Sequence, residues 1–229
     1  MPDSARLQAV ARGRFVMKPR MPSLRQILTH HSPILLLDAA SARIQVGWFE
    51  RETTQAVWET STEEAGVGVF ESIEKLSVEP KSVGAFVFCD GPGSILGVRT
   101  TAIAIRTWNV LKLRPVFTYQ SLEVVAHSLA RNDVTVIADA RRDTWHALTI
   151  GSKLRRVATA DLSGALVMPE GFRHWTPVPS GTSQTPYLLR EHMVSVVDRD
   201  IFRPTDAPDA FLHEEPAYAK WLPQIHRAP

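Results

Sequence analysis

The chain has 229 residues, of which 44% are hydrophobic and 22% charged, with a net charge of +2. That is enough for one large or two small domains with a real core, and too little charge to mark a nucleic-acid binder by itself. A lone cysteine, Cys89, excludes an intrachain disulfide framework and suits a reducing compartment such as the cytoplasm, and no stretch approaches the roughly 20 apolar residues of a membrane span.

Residues 1–30 differ from the rest, with Arg6, Arg12, Arg14, Lys18, Arg20 and Arg25 against one acid, Asp3. The absence of a long apolar run excludes a secretory signal. Two readings stand level: a flexible basic extension with weak attraction for RNA, or an upstream extension of a true start at Met21. An Arg-rich organelle address ranks third. Leu24–Leu28 has the pattern of a short helix.

Ile34–Leu37, ending at Asp38, reads as a buried strand. Arg43–Glu50 alternates, with Ile44, Val46 and Trp48 on one face, and Thr53–Trp58 is a third strand joined by hairpins. Ser61 and Glu64 fit a capping box opening a helix from Thr62 to about Leu76, striped by Val69, Phe70, Ile73 and Leu76. The small Ala65, Gly66 and Gly68 mean either close approach of a partner helix or a late helix start, with equal weight.

Ala85–Cys89, then Asp90–Ser94, then Ile95–Leu111 has the form strand, tight loop, helix. Ser94 is placed to cap the helix. Gly91 and Gly93 permit unusual backbone, and the helix end with its free N–H groups suits a phosphate. An ordinary cap without ligand has equal weight on the loop alone. The loop lacks the Lys-Ser/Thr of a Walker P-loop and the x-Gly of a nucleophile elbow. Cys89, in the run before it, reads as a small buried residue.

Pro115–Phe117 is a short strand, and Ser121 caps a helix carrying Leu122, Val125, Ala126, Leu129 and Ala130, with His127 on the solvated side. The order βββαβαβα closes at Asn132-Asp133. Val134–Ala138 ending at Asp139, then Thr144–Ile150, repeats the strand–Asp–turn–strand of Ile34–Phe49, which predicts a duplicated architecture. The rest is broken by Pro169, Pro177, Pro179, Pro186, Pro204, Pro208, Pro216 and Pro223, so the second lobe is expected to be truncated. Leu188–Val197 fits a short helix or a strand.

Gly91-Pro92-Gly93-Ser94-Ile95-Leu96-Gly97-Val98-Arg99 resembles the GPGSFTGVR signature of the bacterial TsaB (YeaZ) family, with Ile95-Leu96 in place of Phe-Thr. Ile34–Ser41 resembles the family's opening LALDTS-type strand with Asp38 retained. Ile137–Arg142 with Trp145 resembles its DARRGEVY-type segment, and Glu215–Tyr218 its terminal P-x-Y. The family commonly has a His early in the first helix, where Ala65 stands here.

The resemblance implies an α/β, ribonuclease-H-like (actin-like ATPase) fold: residues 1–30 an extension, 31–132 a complete N-terminal lobe and 133–229 a truncated second lobe. It implies a non-catalytic partner of TsaD, the subunit that transfers threonylcarbamoyl to adenosine 37 of tRNAs, with the ATPase TsaE joining the pair and tRNA reached through the complex. Pairing would use the two helices Thr62–Leu76 and Ile95–Leu111, with Gly66, Val69, Ile73, Arg99, Ile103 and Arg106 as interface candidates. The same surface would serve a homodimer of the isolated chain. No cofactor of its own is required, and ATP or ADP with Mg would sit at the complex interface.

The runner-up is a small ATP-dependent phosphotransferase of the same superfamily, with Asp38 and Asp139 holding Mg and phosphates and Gly91, Gly93 and Ser94 donating from the loop. A pure interaction protein without ligand is the third class. A TsaD-type metal site needs two His on one helix face, and none of His30, His31, His127, His146, His174, His192, His213 and His226 forms an H-x-x-x-H pair.

Overall fold

The computed structural model describes residues 21–50 and 54–211. The expectations for residues 1–20 and for the Glu215–Tyr218 segment lie outside them. The first lobe contains β1 (Ile34–Asp38), β2 (Ile44–Phe49), β3 (Val57–Ser61), β4 (Ala85–Gly91) and β5 (Val116–Gln120). Its helices are α1 (Leu24–His31), α2 (Ala65–Lys75), α3 (Ile95–Leu111) and α4 (Ser121–Leu129). β1 pairs antiparallel with β2 and parallel with β4, giving the order β5-β4-β1-β2-β3. All five residues of β1 are buried, as its central place and unbroken apolar run require.

The second lobe contains β6 (Val134–Asp139), β7 (Thr144–Thr149), β8 (Arg155–Ala158), β9 (Ala165–Pro169), β10 (Ser183–Thr185) and α5 (Leu189–Val196). Its sheet order is β10-β9-β6-β7-β8, with β7 antiparallel and β9 parallel to β6. Read outward from each first strand, five strands of each sheet follow the same plan: two successive antiparallel pairings on one side and two successive parallel pairings on the other. The duplication is therefore a property of the sheets. The truncation falls on the helices: a single 3-10 turn, Thr159–Asp161, separates β8 from β9, and only turns and loops separate β9 from β10. Leu189–Val196 resolves the helix-or-strand alternative as helix.

Four local expectations change. The third strand lies at Val57–Ser61, because Ser61 pairs with Ile44 in the β2–β3 ladder. Ser61 therefore does not cap α2, its hydroxyl accepting from the Glu63 N–H at 3.1 Å: α2 begins at Ala65 behind Glu64, which makes no side-chain cap bond. Ser121 is the first helical residue of α4, not its cap, and its hydroxyl donates to the Pro92 carbonyl at 2.6 Å. His127 is half-buried rather than solvated, and burial lowers its pKa.

The boundary at residue 30 cuts through α1. That helix is capped by Ser23 in a capping box with Gln26, and it buries Leu24, Ile27 and Leu28. The boundary at the far end also moves. β11 (Arg203–Pro204) returns to the first sheet as an edge strand on β5, and Phe202 is fully buried beside Tyr119. One hydrophobic cluster runs through both lobes, from Leu36, Phe88 and Val125 to Val136, Leu148 and Tyr187. A smaller one, built on Trp145, fills the second sheet's other side.

Candidate functional site

Asp38 ends β1 at the junction of the two lobes and is 1% exposed. One carboxylate oxygen accepts from the Ala40 N–H at 2.9 Å; the other accepts from the hydroxyls of Tyr119 and Tyr187, each at 2.7 Å. Burial pushes the carboxyl up from its ordinary value, against the pull of these donors. Both tyrosine hydroxyls are held protonated by the same burial and by the carboxylate they face. Tyr119 comes from β5 and Tyr187 from the segment before α5, so one carboxylate joins the lobes.

The Gly91–Ser94 loop lies against the β1–β2 turn. The Ser94 N–H donates to the Ala40 carbonyl at 2.7 Å, and the Ser94 hydroxyl caps α3 by accepting from the Gly97 N–H at 3.2 Å. Gly93 has φ +153°, and a Cβ there would stand 2.3 Å from the Ala40 carbonyl oxygen. A Cβ on Gly97 would stand 2.0 Å from the Ala39 carbonyl oxygen. The glycines thus serve close packing of loop on turn. Cys89 is buried behind them, and burial raises its thiol well above the ordinary range.

Asp139 ends β6 as Asp38 ends β1. Its oxygens accept from the N–H groups of Arg141, Trp175 and Thr176 and from the Thr176 hydroxyl. Against the upward push of partial burial, those donors hold the carboxyl below its usual range. The β6–β7 turn places Arg141, Arg142 and Asp143 at φ 63°, 52° and 57°. Left-handed backbone costs a non-glycine residue about 1 kcal/mol or more. Arg141 lies over the Trp175 indole at 4.1 Å.

The sequence places Asp38 and Asp139 as two carboxylates sharing Mg and phosphate. Asp38 is instead sealed inside, and Asp139 is engaged by its own turn at Arg141 and by Trp175 and Thr176 of the segment between β9 and β10. The residues present do not fit a bound Mg-nucleotide at this junction. No group of three or more His, Cys, Asp or Glu side chains is placed to hold a metal among the described residues, and no helix there is long and apolar enough to cross a membrane.

Two solved structures share this architecture. YeaZ from Pseudomonas aeruginosa superposes with a TM-score of 0.53 at 18% identity, covering 72% of this chain and 90% of that one. The chain has the YeaZ fold. A second structure, of an uncharacterized protein with similarity to peptidase YeaZ from Pseudomonas aeruginosa, gives a TM-score of 0.52 at 17% identity over 72% of this chain and 89% of that one. No protein-family model and no curated protein matches the sequence. Both sheets carry the duplicated plan that the strand–Asp pattern predicts, and the fold agrees with the α/β, actin-like arrangement that the resemblance implies.

Within the YeaZ fold, α2 packs against α3. The interface candidates divide. Gly66, Arg99, Ile103 and Arg106 lie on the exposed side, Ile103 with 58% of its surface open. Val69 and Ile73 do not: they are 0% and 5% exposed and face the core, as the apolar stripe of an amphipathic helix must. The exposed apolar residues beside them are Val67 and Phe70, with Ile95 and Leu96 at the start of α3. Arg106 pairs with Asp209 at 3.3 Å and Arg99 approaches it at 3.9 Å, so the chain after β11 crosses the outer side of α3.

Proposed function

We propose that this chain is a TsaB (YeaZ) family protein: a non-catalytic scaffold or activator subunit of the assembly that makes N6-threonylcarbamoyladenosine in tRNA. It pairs with TsaD, is joined by TsaE, and meets tRNA through the complex in the cytoplasm. The observation that carries this reading is the exposed apolar surface of α2 and α3: Val67, Phe70, Leu96 and Ile103 are 49%, 45%, 76% and 58% exposed on two neighbouring helices. Apolar surface of this kind on a folded lobe favours burial against a partner. The resemblance of the Gly-Pro-Gly-Ser loop and the likeness of fold support the family reading; the sealed Asp38 supports a subunit without chemistry of its own. ATP or ADP with Mg in the complex then belongs to the interface and not to the Asp38 junction. The same surface lets the isolated chain self-associate.

The test is size-exclusion chromatography of the chain with TsaD from the same organism, with and without TsaE and ATP. Co-elution is the expected result. Separate elution, with ATP hydrolysis by this chain alone, would overturn the reading in favour of a phosphotransferase.

A further inference from the structure

Trp175 is 63% exposed, yet its backbone is fixed: its N–H and that of Thr176 both donate to Asp139. Rigid presentation of a large aromatic to solvent is unusual, because burial is the favourable fate of such a surface. Arg141 stacks over the indole at 4.1 Å, held there by the left-handed β6–β7 turn. Beside it is an open depression of about 480 Å³ lined by Gly171, Phe172, Arg173, His174 and Trp175. Its base is firm, since Phe172 is buried edge-on against Tyr187 at 5.0 Å.

The rim is cationic. Arg141, Arg142 and Arg173 are exposed, and Arg43 joins them because the Ala42 N–H donates to the Gly171 carbonyl at 2.8 Å. None of the four forms an ion pair with another described residue. The neighbouring acids are partly engaged: Asp139 by Trp175 and Thr176, and Asp143 by the Thr159 hydroxyl at 2.7 Å, which leaves Glu170 exposed.

We propose that this patch binds single-stranded nucleic acid, one base stacking on the Trp175 indole face that Arg141 does not cover, with adjacent phosphates meeting Arg43, Arg142 and Arg173. A base offers a flat face to an aromatic platform, and dispersed cations on an open surface track a phosphate backbone. An enclosed mononucleotide site would need walls that the depression lacks. The inference stands on the patch and does not require the scaffold reading.

The experiment is fluorescence anisotropy of a fluorescein-labelled RNA 12-mer with the full chain over a salt series. Wild type should bind with strong salt dependence. Trp175→Ala should weaken binding about tenfold or more, the effect of one lost stacking contact. Arg142→Ala with Arg173→Ala should reduce the salt slope by about one to two. Neither change touches the core. Wild type failing to bind at low salt would overturn the proposal. So would Trp175→Ala binding as wild type does, or polyglutamate competing as well as RNA, which would leave only an anion sink. TsaD co-elution is scored separately, so either reading can fail while the other stands.

Discussion

Asp90, at the head of the glycine loop, is mostly buried and one of its carboxylate oxygens has no partner among the described residues. Burial raises its carboxyl to about 6, although the Thr118 hydroxyl and the Arg203 charge oppose the shift. An unfolded Asp titrates near 3.9, so the folded chain holds the extra proton between about pH 4 and 6. Stability therefore falls as pH rises through that window and stays reduced above it. Asp90→Asn should stabilise the protein by about 1–3 kcal/mol at pH 7.5, with the gain gone near pH 4. Urea unfolding at both pH values decides it; an equal gain at pH 4 would mean that charge is not the cause. Tyr187→Phe acts oppositely. It removes one hydroxyl donor from the buried Asp38 and should cost about 1–3 kcal/mol in the same assay. Asp38 was legible from a strand ending in Asp. Its tyrosines were not, lying 81 and 149 positions away in the chain, though two of only three tyrosines were there to be weighed.

The strand–loop–helix unit around Gly91–Ser94 was readable because its signals are local: an apolar run, paired glycines and a serine cap. What its glycines pack against was not, since only the tertiary structure shows Gly93 pressed on the Ala40 carbonyl. Gly93→Ala must displace that backbone or the loop and should cost about 2 kcal/mol or more, read as a lowered urea midpoint. The α2 start was misread because Ser61-x-x-Glu64 imitates a capping box, while pairing with Ile44 drew Ser61 into the sheet. The proposed pairing through α2 and α3 has a matched test. Phe70→Asp with Ile103→Asp changes two exposed side chains; it should cost about 1 kcal/mol for the lost edge-to-face contact of Phe70 with Trp108, leave the chain folded, and abolish co-elution with TsaD. Val69→Asp places a charge at a fully buried position and should unfold the chain instead. Retained co-elution of the soluble double variant would remove α2 and α3 from the interface.

The two lobes share more than a hinge. Gln45 of β2 is 2% exposed, and its amide both donates to the Tyr187 carbonyl at 3.1 Å and accepts from the Leu189 N–H at 2.8 Å. Asp38 and Tyr187 cross the same junction, and the segment after α5 returns to the first sheet through β11. The sequence showed the second lobe's first two strands but not β8, β9 or β10. These are short, the outer two have no buried residue, and the helices that would have framed them are missing or reduced to turns. Their identity comes from pairing, β8 with β7, β9 with β6 and β10 with β9, which no local pattern encodes. A continuous core with polar ties across it predicts one cooperative unfolding event. Tryptophan fluorescence and far-UV circular dichroism should give coincident urea curves for the wild type. Gln45→Leu keeps the volume but leaves a buried carbonyl and a buried N–H without their partner, at a cost of about 2–4 kcal/mol. A single transition shifted to lower urea is the expected result, because the junction supports both lobes. Separated transitions in the wild type would instead make the lobes independent and reduce the Asp38–Gln45 junction to a contact between two self-sufficient units.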